Sequence, residues 1–253
     1  MRPSPFVHND SRSPLRRALA ELLDLAWPVT CAGCERWSTP WCEACARATR
    51  LELLRVRPSL APHLVVHAAT PFEGAVRRGV TVFKDEGRSD LAPVLGVLLR
   101  AAVAAALAEY IDGERPIPRR WLLTPVPSSP AATRARGRFP LGEVVRASLN
   151  SDRAGAEQRT LVEASLLRAS RRTVDQSHLT RAQRSANVAG AFALASAREG
   201  HAPEECGVVL VDDVVTSGAT LASAHGVLVR GGYDPVLLAA VAATPDAGVR
   251  GDA

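Results

Sequence analysis

The chain has 253 residues, of which 47% are apolar, and a formal net charge of +5. This length and composition predict one medium-sized domain with a hydrophobic core and room for a small appendage, and they exclude a chain too polar to fold. All but one of the 31 basic residues are arginine, Lys84 being the exception. Such a bias indicates the coding background, so the modest positive charge is no argument for nucleic-acid binding.

The N-terminal residues divide into a tail and a helix. We predict that residues 1–12 are disordered and that an amphipathic helix covers residues 15–25, with Ser13 as its N-cap and Pro14 in its first turn. Glu21 and Asp24 interrupt the apolar run, which argues against a signal peptide. We therefore expect a cytoplasmic protein.

Four of the five cysteines form two Cys-x2-Cys pairs: Cys31, Cys34, Cys42 and Cys45. Two such pairs are the usual ligand set of a tetrahedral thiolate site, and four thiolates leave no open position for catalysis. We predict a structural Zn²⁺ knuckle that, with the helix, makes up residues 13–50. Iron–sulfur ligation is a weaker alternative, and disulfides would need an oxidising compartment. Trp37, Pro40 and Trp41 are expected to pack around the metal.

Residues 64–245 alternate strand and helix patterns, and residues 246–253 are predicted to form a flexible tail. Strands are predicted at 64–69, 79–83, 121–126, 161–168, 188–194, 208–211 and 235–243, and helices at 91–111, 141–149 and 221–230. The apolar stretch 91–110 carries Pro93, Arg100 and Glu109, which favours a buried helix over a membrane span. The alternation predicts an α/β domain with a parallel sheet flanked by helices.

Residues 208–220 are the most informative segment. An apolar strand is followed by an acidic turn, Asp212 and Asp213, and then by the loop Thr216-Ser217-Gly218-Ala219-Thr220 at a helix start. Backbone N–H groups and the positive end of the helix dipole can hold a phosphate at such a start. The two carboxylates would repel that phosphate unless they serve hydroxyl groups or a metal ion. A sugar phosphate meets both requirements.

This segment resembles the phosphoribosyl pyrophosphate (PRPP) loop of the type I phosphoribosyltransferases. Over about residues 22–241 the chain is similar to the competence-associated ComF proteins, which join an N-terminal zinc finger to such a domain. Besides the cysteine pairs, the matching blocks are Phe83-Lys84, Thr124-Pro125-Val126-Pro127, Arg134-x-Arg136-Gly137, Gln176-x2-Leu179 and Arg184-x2-Asn187-x2-Gly190-Ala191-Phe192. The resemblance implies the type I phosphoribosyltransferase fold and a Mg²⁺-dependent pentosyltransferase reaction between PRPP and a nitrogenous acceptor.

The resemblance also implies roles for individual residues. Asp212 and Asp213 would hold the ribose 2′ and 3′ hydroxyls, and residues 216–220 would bind the 5′-phosphate. Arg134 and Arg136, in the basic segment 126–138, would stabilise pyrophosphate. Further candidates for contact with substrate or pyrophosphate are Lys84, Gln176, Arg184 and Asn187. The polar segment 171–187 would close over PRPP.

One block departs from the family pattern. ComF proteins usually continue Arg-Gly-Phe-Asn-Gln, whereas this chain has Arg136-Gly137-Arg138-Phe139-Pro140. The change removes two polar side chains from the substrate side, which leaves the acceptor and turnover open. Arg138 fits contact with pyrophosphate and a solvated basic surface equally well.

Two alternatives to an enzyme are open at this point. One is a non-catalytic accessory in DNA uptake and natural transformation that binds single-stranded DNA or a nucleotide. The other is a regulator that binds PRPP without turnover. Five Phe, four Trp and two Tyr are few for a dedicated single-strand binder, and the acidic pair would repel DNA phosphates. PRPP or a related sugar phosphate is therefore the favoured partner.

Overall fold

The computed structural model describes residues 29–37, 39–150, 161–170, 190–195 and 201–248. The strands are β1 (Leu54–Val56), β2 (Val66–Pro71), β3 (Arg120–Pro125), β4 (Leu161–Glu163), β5 (Leu167–Ala169), β6 (Phe192–Leu194), β7 (Cys206–Val215) and β8 (Val236–Ala243). The α-helices are α1 (Glu43–Ala48), α2 (Gly74–Asp85), α3 (Ala92–Asp112), α4 (Pro130–Arg136), α5 (Pro140–Asn150) and α6 (Ala219–Arg230). The predicted tail 1–12, the predicted N-terminal helix, segment 171–187 and residues 249–253 of the second predicted tail lie outside the described residues.

Six strands form one sheet in the order β1-β2-β8-β7-β3-β4. Only β1 is antiparallel to its neighbour, since β2, β8, β7, β3 and β4 pair in parallel. Strands β5 and β6 form a separate antiparallel pair. The carboxyl ends of the parallel strands therefore meet at one edge of the sheet, where α/β proteins bind their ligands.

Side chains of the central strand β7 alternate between two hydrophobic cores. Val208 and Leu210 belong to the core that also contains Leu221 and Leu228 of α6. Val209 and Val211 belong to the other core, with residues of α2, α3 and α5. Because both faces are covered, the strand is a continuous apolar run, as in other parallel sheets. An α/β domain with a mostly parallel sheet flanked by helices is thus confirmed.

Residues 79–83 belong to helix α2, so the predicted strand there is wrong. Val76, Val80 and Phe83 recur at helical spacing and are all buried in one core. Gly79 lies under the Trp41 ring, because a Cβ added there would be 2.8 Å from Cζ3 of Trp41. Packing at intervals of three and four residues therefore overrides the preference of the valines for strands.

The predicted strand 161–168 is divided between two sheets. Strand β4 pairs with β3 at the edge of the main sheet, whereas β5 pairs with β6. Ala164 and Leu166, in the connection, are buried in the core. The apolar pattern continues through the bend, so the pattern alone gives one strand where the chain forms two.

The run Ser89–Asp112, which contains α3, is long and apolar enough to cross a membrane by length and composition. Half of its most apolar window is buried inside the protein. Leu95, Leu98, Leu99 and Ala102 pack in the core shared with β7. The core helix of a globular domain can have the same length and composition, and the apolar side chains of α3 lie in the core of this domain.

Candidate functional site

A cleft of about 310 Å³ lies at the carboxyl ends of β3 and β7. We call it the strand-end cleft. It is lined by Lys84, Val126, Pro127, Ser128, Arg136, Pro140, Leu141, Asp212, Asp213, Val214 and Thr220. Five of the predicted site residues share this cleft, although they come from separate parts of the sequence: Lys84, Arg136, Asp212, Asp213 and Thr220.

The two aspartates lie on strand β7 and not in a turn after it. Strand β7 continues to Val215 because β8 still pairs with it, at Asp212 with Ala240 and at Val215 with Ala243. The backbone N–H of Asp213 donates to Oδ1 of Asp212 at 2.9 Å, and that of Val214 donates to Oδ1 of Asp213 at 2.7 Å. Sheet and hydrogen bonds together fix both carboxylates at the cleft.

Lys84, at the end of α2, lies across the cleft from the acids. Its Nζ is 2.5 Å from Oδ2 of Asp213, and both side chains are partly shielded from water. Lys84 stands out in the sequence because it is the single lysine of the chain. In the structure its ammonium group contacts the Asp213 carboxylate.

The acidic pair has an unusual protonation state. Desolvation and the neighbouring charge of Asp213 raise the pKa of Asp212 to about 8, although the Lys84 ammonium acts in the opposite direction. The raised pKa favours the protonated form of Asp212 near neutral pH, and the Lys84 ammonium lies beside Asp213. Carboxyl groups whose pKa is shifted by burial and by a neighbouring charge are typical of functional sites.

The two arginines predicted to stabilise pyrophosphate, Arg134 and Arg136, lie in different places. Nη2 of Arg136 is 3.2 Å from Oδ1 of Asp85, at the wall of the cleft. Arg134 is exposed on α4 and is not among the residues that line the cleft. The predicted loop itself contains helix α4, which the Ser129 Oγ caps by accepting from the N–H of Ala132.

Arg138 serves neither of the two roles considered for it. Its guanidinium forms a bidentate ion pair with Glu143, with Nε to Oε1 at 2.9 Å and Nη2 to Oε2 at 2.7 Å. It also donates to the Phe83 carbonyl at 2.6 Å and lies 4.5 Å from the centre of the Phe83 ring. Arg138 therefore ties the start of α5 to the end of α2 and positions the turn that carries Lys84.

Gly218 shapes the loop between β7 and α6. Its φ is +77°, and a Cβ added there would be 2.2 Å from Cβ of Pro58. The N–H of Leu60 donates to the carbonyl of Ser217 at 3.0 Å, so segment 58–60 holds the loop from outside. No side chain caps the N-terminus of α6, and Thr220 in its first turn faces the cleft.

We expect Gly218→Ala to destabilise the protein more than Gly87→Ala. Both glycines have positive φ, but a Cβ on Gly87 meets nothing within 4 Å, so that substitution costs backbone strain alone. At Gly218 the clash with Pro58 adds to a strain of about 1–3 kcal/mol. A melting temperature at least about 3 °C lower than that of Gly87→Ala checks this, and equal melting of the two variants would contradict it.

The four predicted metal ligands converge. The Sγ atoms of Cys31, Cys34, Cys42 and Cys45 all lie within 4.8 Å of one another. A tetrahedral zinc site has sulfur atoms about 3.8 Å apart, which follows from Zn–S bonds of about 2.3 Å. Backbone N–H groups already point at the sulfurs, from Cys42 to Cys31 at 3.3 Å and from Cys45 to Cys42 at 3.4 Å. The cysteine cluster thus fits a zinc ion.

The thiols of the cluster differ in acidity. Burial disfavours the Cys31 thiolate, but N–H groups of Cys42, Cys34 and Gly33 lower the pKa of Cys31 to about 7. Burial and the neighbouring thiols raise the pKa of Cys45 well above its usual value. Four adjacent thiolates need a cation to balance their charge, and a bound divalent metal supplies it.

The knuckle packs on helix α2 through fewer aromatic contacts than predicted. Trp41 lies on Gly79, and a Cβ added at Gly33 would be 2.9 Å from Cβ of Ala75. Trp37, in contrast, is 69% exposed, so the expectation that it packs around the metal is wrong. Its backbone pairs with Thr30 in a single antiparallel β-bridge. Glu35 also forms an ion pair with Arg78 of α2.

Three predicted substrate contacts, Gln176, Arg184 and Asn187, lie outside the described residues. Conversely, the structure reveals partners that the sequence did not indicate: Asp85, which pairs with Arg136, and Glu143, which pairs with Arg138. Asp85 directly follows Lys84, so this adjacency was its only signal. Neither the protein-family models nor the curated proteins compared with the chain gave a match.

Proposed function

We propose that the chain is a ComF-like protein with a type I phosphoribosyltransferase fold, which binds PRPP and transfers its phosphoribosyl group to or from a nitrogenous acceptor. The supporting observation is the arrangement at the end of β7. Asp212 and Asp213 line a cleft that also contains Lys84 and Arg136, and the uncapped start of α6 follows within a few residues.

Each part of PRPP has a chemically matched partner in this proposal. The first-turn N–H groups of α6 and the hydroxyl of Thr220 bind the 5′-phosphate. The carboxyl groups of Asp212 and Asp213 bind the two ribose hydroxyls. Arg136 and Lys84 face the pyrophosphate, and segment 126–128 forms the wall beside it.

The proposed reaction breaks the bond between ribose C1 and the pyrophosphate oxygen, and the bonding electrons leave on pyrophosphate. The acceptor nitrogen forms the new bond to C1 and loses its proton. Charge builds up on the leaving oxygen, so fixed cations such as Arg136 favour the transition state over the ground state. Asp212 and Asp213 would hold Mg²⁺ together with bound PRPP, and the ion would supply further positive charge to the leaving pyrophosphate.

The direct test is calorimetric titration of the zinc-loaded protein with PRPP and Mg²⁺, followed by an assay of pyrophosphate release with candidate bases. Binding at micromolar concentrations is expected. Absence of binding by the folded protein contradicts the proposal, whereas binding without turnover for any base assigns the chain to the regulator class.

The second candidate function, binding of single-stranded DNA, is favoured by one observation. Trp37 is exposed on the knuckle and has the exposed Arg36 beside it, a combination suited to stacking on a base. Titration with an oligothymidylate at low and at physiological salt separates the two candidates. Strong binding that falls steeply with salt, with no binding of PRPP, would favour the DNA-binding function.

We expect Lys84→Met to weaken PRPP binding about 10- to 100-fold, the effect of losing one charge-assisted contact. In the wild type, affinity should rise as the pH increases through about 8, because Asp212 then ionises and accepts hydroxyl protons better. Loss of the Lys84 ammonium raises the pKa of Asp212 further, so this rise moves to higher pH. Calorimetry at a series of pH values on both sides of about 8 measures both effects.

The matched control is Lys84→Arg, which keeps the cation. It should retain the wild-type pH midpoint even if its affinity falls, because a positive charge remains beside Asp213. An identical pH midpoint in Lys84→Met and wild type would contradict the role of the Lys84–Asp213 ion pair.

A further inference from the structure

A second pocket, of about 400 Å³, lies at the opposite edge of the sheet from the strand-end cleft. We call it the amino-end pocket. Residues 63–65, before β2, and residues 236–238, at the start of β8, form one wall, and Glu109 and Tyr110 in the last turns of α3 form another. The two cavities share no lining residue.

The lining of the amino-end pocket is strongly basic. Arg55, Arg57, Arg115, His63 and His67 contribute to it, against the single carboxylate of Glu109. In the sequence these cations are spread over 61 positions, from 55 to 115, so no local motif signals the cluster. The antiparallel pairing of β1 with β2 places Arg55 opposite His67, so these two side chains come together in the pocket.

Both carboxylate oxygens of Glu109 contact basic side chains of strands β1 and β2. Its Oε2 is 3.0 Å from Nε of Arg55 and 3.2 Å from Nε2 of His67, and its Oε1 is 3.2 Å from Nη2 of Arg55. The guanidinium of Arg55 lowers the pKa of Glu109, so this carboxylate stays ionised and balances Arg55. Desolvation lowers the pKa of His67, so His67 adds no charge at neutral pH.

Arg57 and Arg115 supply the positive charge that remains. Within the described part of the chain neither has a carboxylate at salt-bridge distance. Nη1 of Arg57 donates to the Pro62 carbonyl at 3.1 Å, and the Arg115 guanidinium lies 5.5 Å from the centre of the Tyr110 ring. The carbonyl groups at the C-terminal end of α3 carry a partial negative charge close to Arg115. Arg115 also acts electrostatically on Glu109, but three guanidiniums against one carboxylate leave a net positive charge at this cavity, which matches a phosphate group.

The rest of the lining includes three partly exposed apolar side chains, Val65, Val236 and Leu237, which offer a small apolar surface. Leu64, Leu238 and the ring of Tyr110 are buried side chains that border the pocket. A cavity of this size is within the range of small-molecule sites, which combine apolar walls with a few fixed polar groups. A free phosphate would use only the cations, whereas an aromatic ring joined to a phosphate would use both kinds of wall.

We propose that the amino-end pocket binds a nucleoside monophosphate, with its phosphate at Arg57 and Arg115 and its base against the apolar wall. The site is separate from the strand-end cleft, so this proposal holds whether or not the chain binds PRPP. A ligand there would contact β2, β8 and α3, which also carry the core behind the cleft.

The test is calorimetric titration of the full chain with AMP and with UMP, and with adenosine and inorganic phosphate as separate halves of the ligand. Arg57→Ala/Arg115→Ala should weaken nucleotide binding at least about 10-fold, as expected for loss of charge-assisted hydrogen bonds. The control Arg77→Ala/Arg119→Ala removes the same charge from exposed positions outside the pocket and should stay within about twofold of wild type.

Each other outcome has a defined meaning. No nucleotide binding at millimolar concentration, or equal weakening in the pocket and control variants, overturns the proposal. Inorganic phosphate binding as tightly as AMP overturns the ligand class. Nucleotide binding that disappears in Asp212→Asn/Asp213→Asn but survives in the pocket variant places the nucleotide in the strand-end cleft and also overturns it. If the double variant does not fold, Arg115→Ala alone removes one of the two proposed phosphate ligands and its contact with the Tyr110 ring, and it repeats the test.

Discussion

At a pH above about 8, where Asp212 is ionised, PRPP binding by Asp212→Asn/Asp213→Asn should be at least about 100-fold weaker than wild-type binding, below detection in a calorimeter. Each carboxylate is expected to accept a hydrogen bond from one ribose hydroxyl, and two charge-assisted bonds of about 1.5–3 kcal/mol each account for a loss of this size. Asparagine keeps the shape of the side chain and removes its charge. The effect therefore measures the charge of the carboxylates and not the space they occupy.

The single variant Asp212→Asn separates loss of binding from loss of folding. The pKa of Asp212 is raised from 3.8 to about 8, so between these pH values the folded protein keeps a proton that the unfolded chain has lost. Wild-type stability accordingly falls as the pH rises from about 4 to 8. The variant has no titratable group at this position, and it keeps the Lys84–Asp213 ion pair. It should melt at least about 2 °C above wild type at pH 8.

Scanning fluorimetry at pH values near the two ends of this range measures the stability, and titration with PRPP and Mg²⁺ measures the binding. The matched control is Asp112→Asn/Asp246→Asn, which removes two exposed carboxylates outside the cleft and should leave both quantities near wild type. Undiminished PRPP binding by the Asp212→Asn/Asp213→Asn protein would contradict the proposed site, and a lower melting temperature of Asp212→Asn at the alkaline end would contradict the protonation state.

The sheet was predictable because its strands are buried on both faces and are bounded by turn residues. Residues 208–211 and 235–243 carry continuous apolar runs, and both lie in central strands. The predictions fail where a local pattern competes with packing at a distance. Residues 79–83 favour a strand by composition, but Trp41 and the sheet offer a surface that only a helix of this sequence fits.

The candidate site shows the same division. The acids and the loop are adjacent in sequence, and the cysteine ligands lie within fifteen residues, so local sequence patterns were enough to single them out as candidates. Ion pairs between distant residues were not predictable in this way. Arg138 pairs with Glu143 and contacts Phe83, and Arg136 pairs with Asp85, because the fold brings the ends of α2, α4 and α5 together. Sequence identifies the ionisable groups, and topology decides which of them meet.

Helix α2 connects the cysteine knuckle with the strand-end cleft. Its first half carries the knuckle, through Ala75, Arg78 and Gly79, and its last turn carries Lys84 and Asp85. A helix of 12 residues is rigid on the scale of these contacts, with a length of about 18 Å. Loss of the knuckle should therefore affect the position of Lys84, although no cysteine lines the strand-end cleft.

Cys31→Ser should lower the zinc content well below one ion per chain and loosen the knuckle. Cys31 is fully buried, and its Sγ is one of the four converging ligands. A segment this small has little core of its own, so the metal supplies much of its folding free energy. We expect the melting temperature to fall by at least about 5 °C and hydrogen exchange to rise in residues 29–49 and in the first half of α2.

The matched control is Cys206→Ser. Cys206 is also buried, but it lies at the start of β7, outside the cysteine cluster. It should cost some core stability and leave the zinc content and the exchange of residues 29–49 unchanged. Metal analysis, melting and hydrogen exchange on both variants distinguish the two effects. Equal zinc content in Cys31→Ser and wild type would contradict the four-cysteine site, and iron in place of zinc in the wild type would support the iron–sulfur alternative.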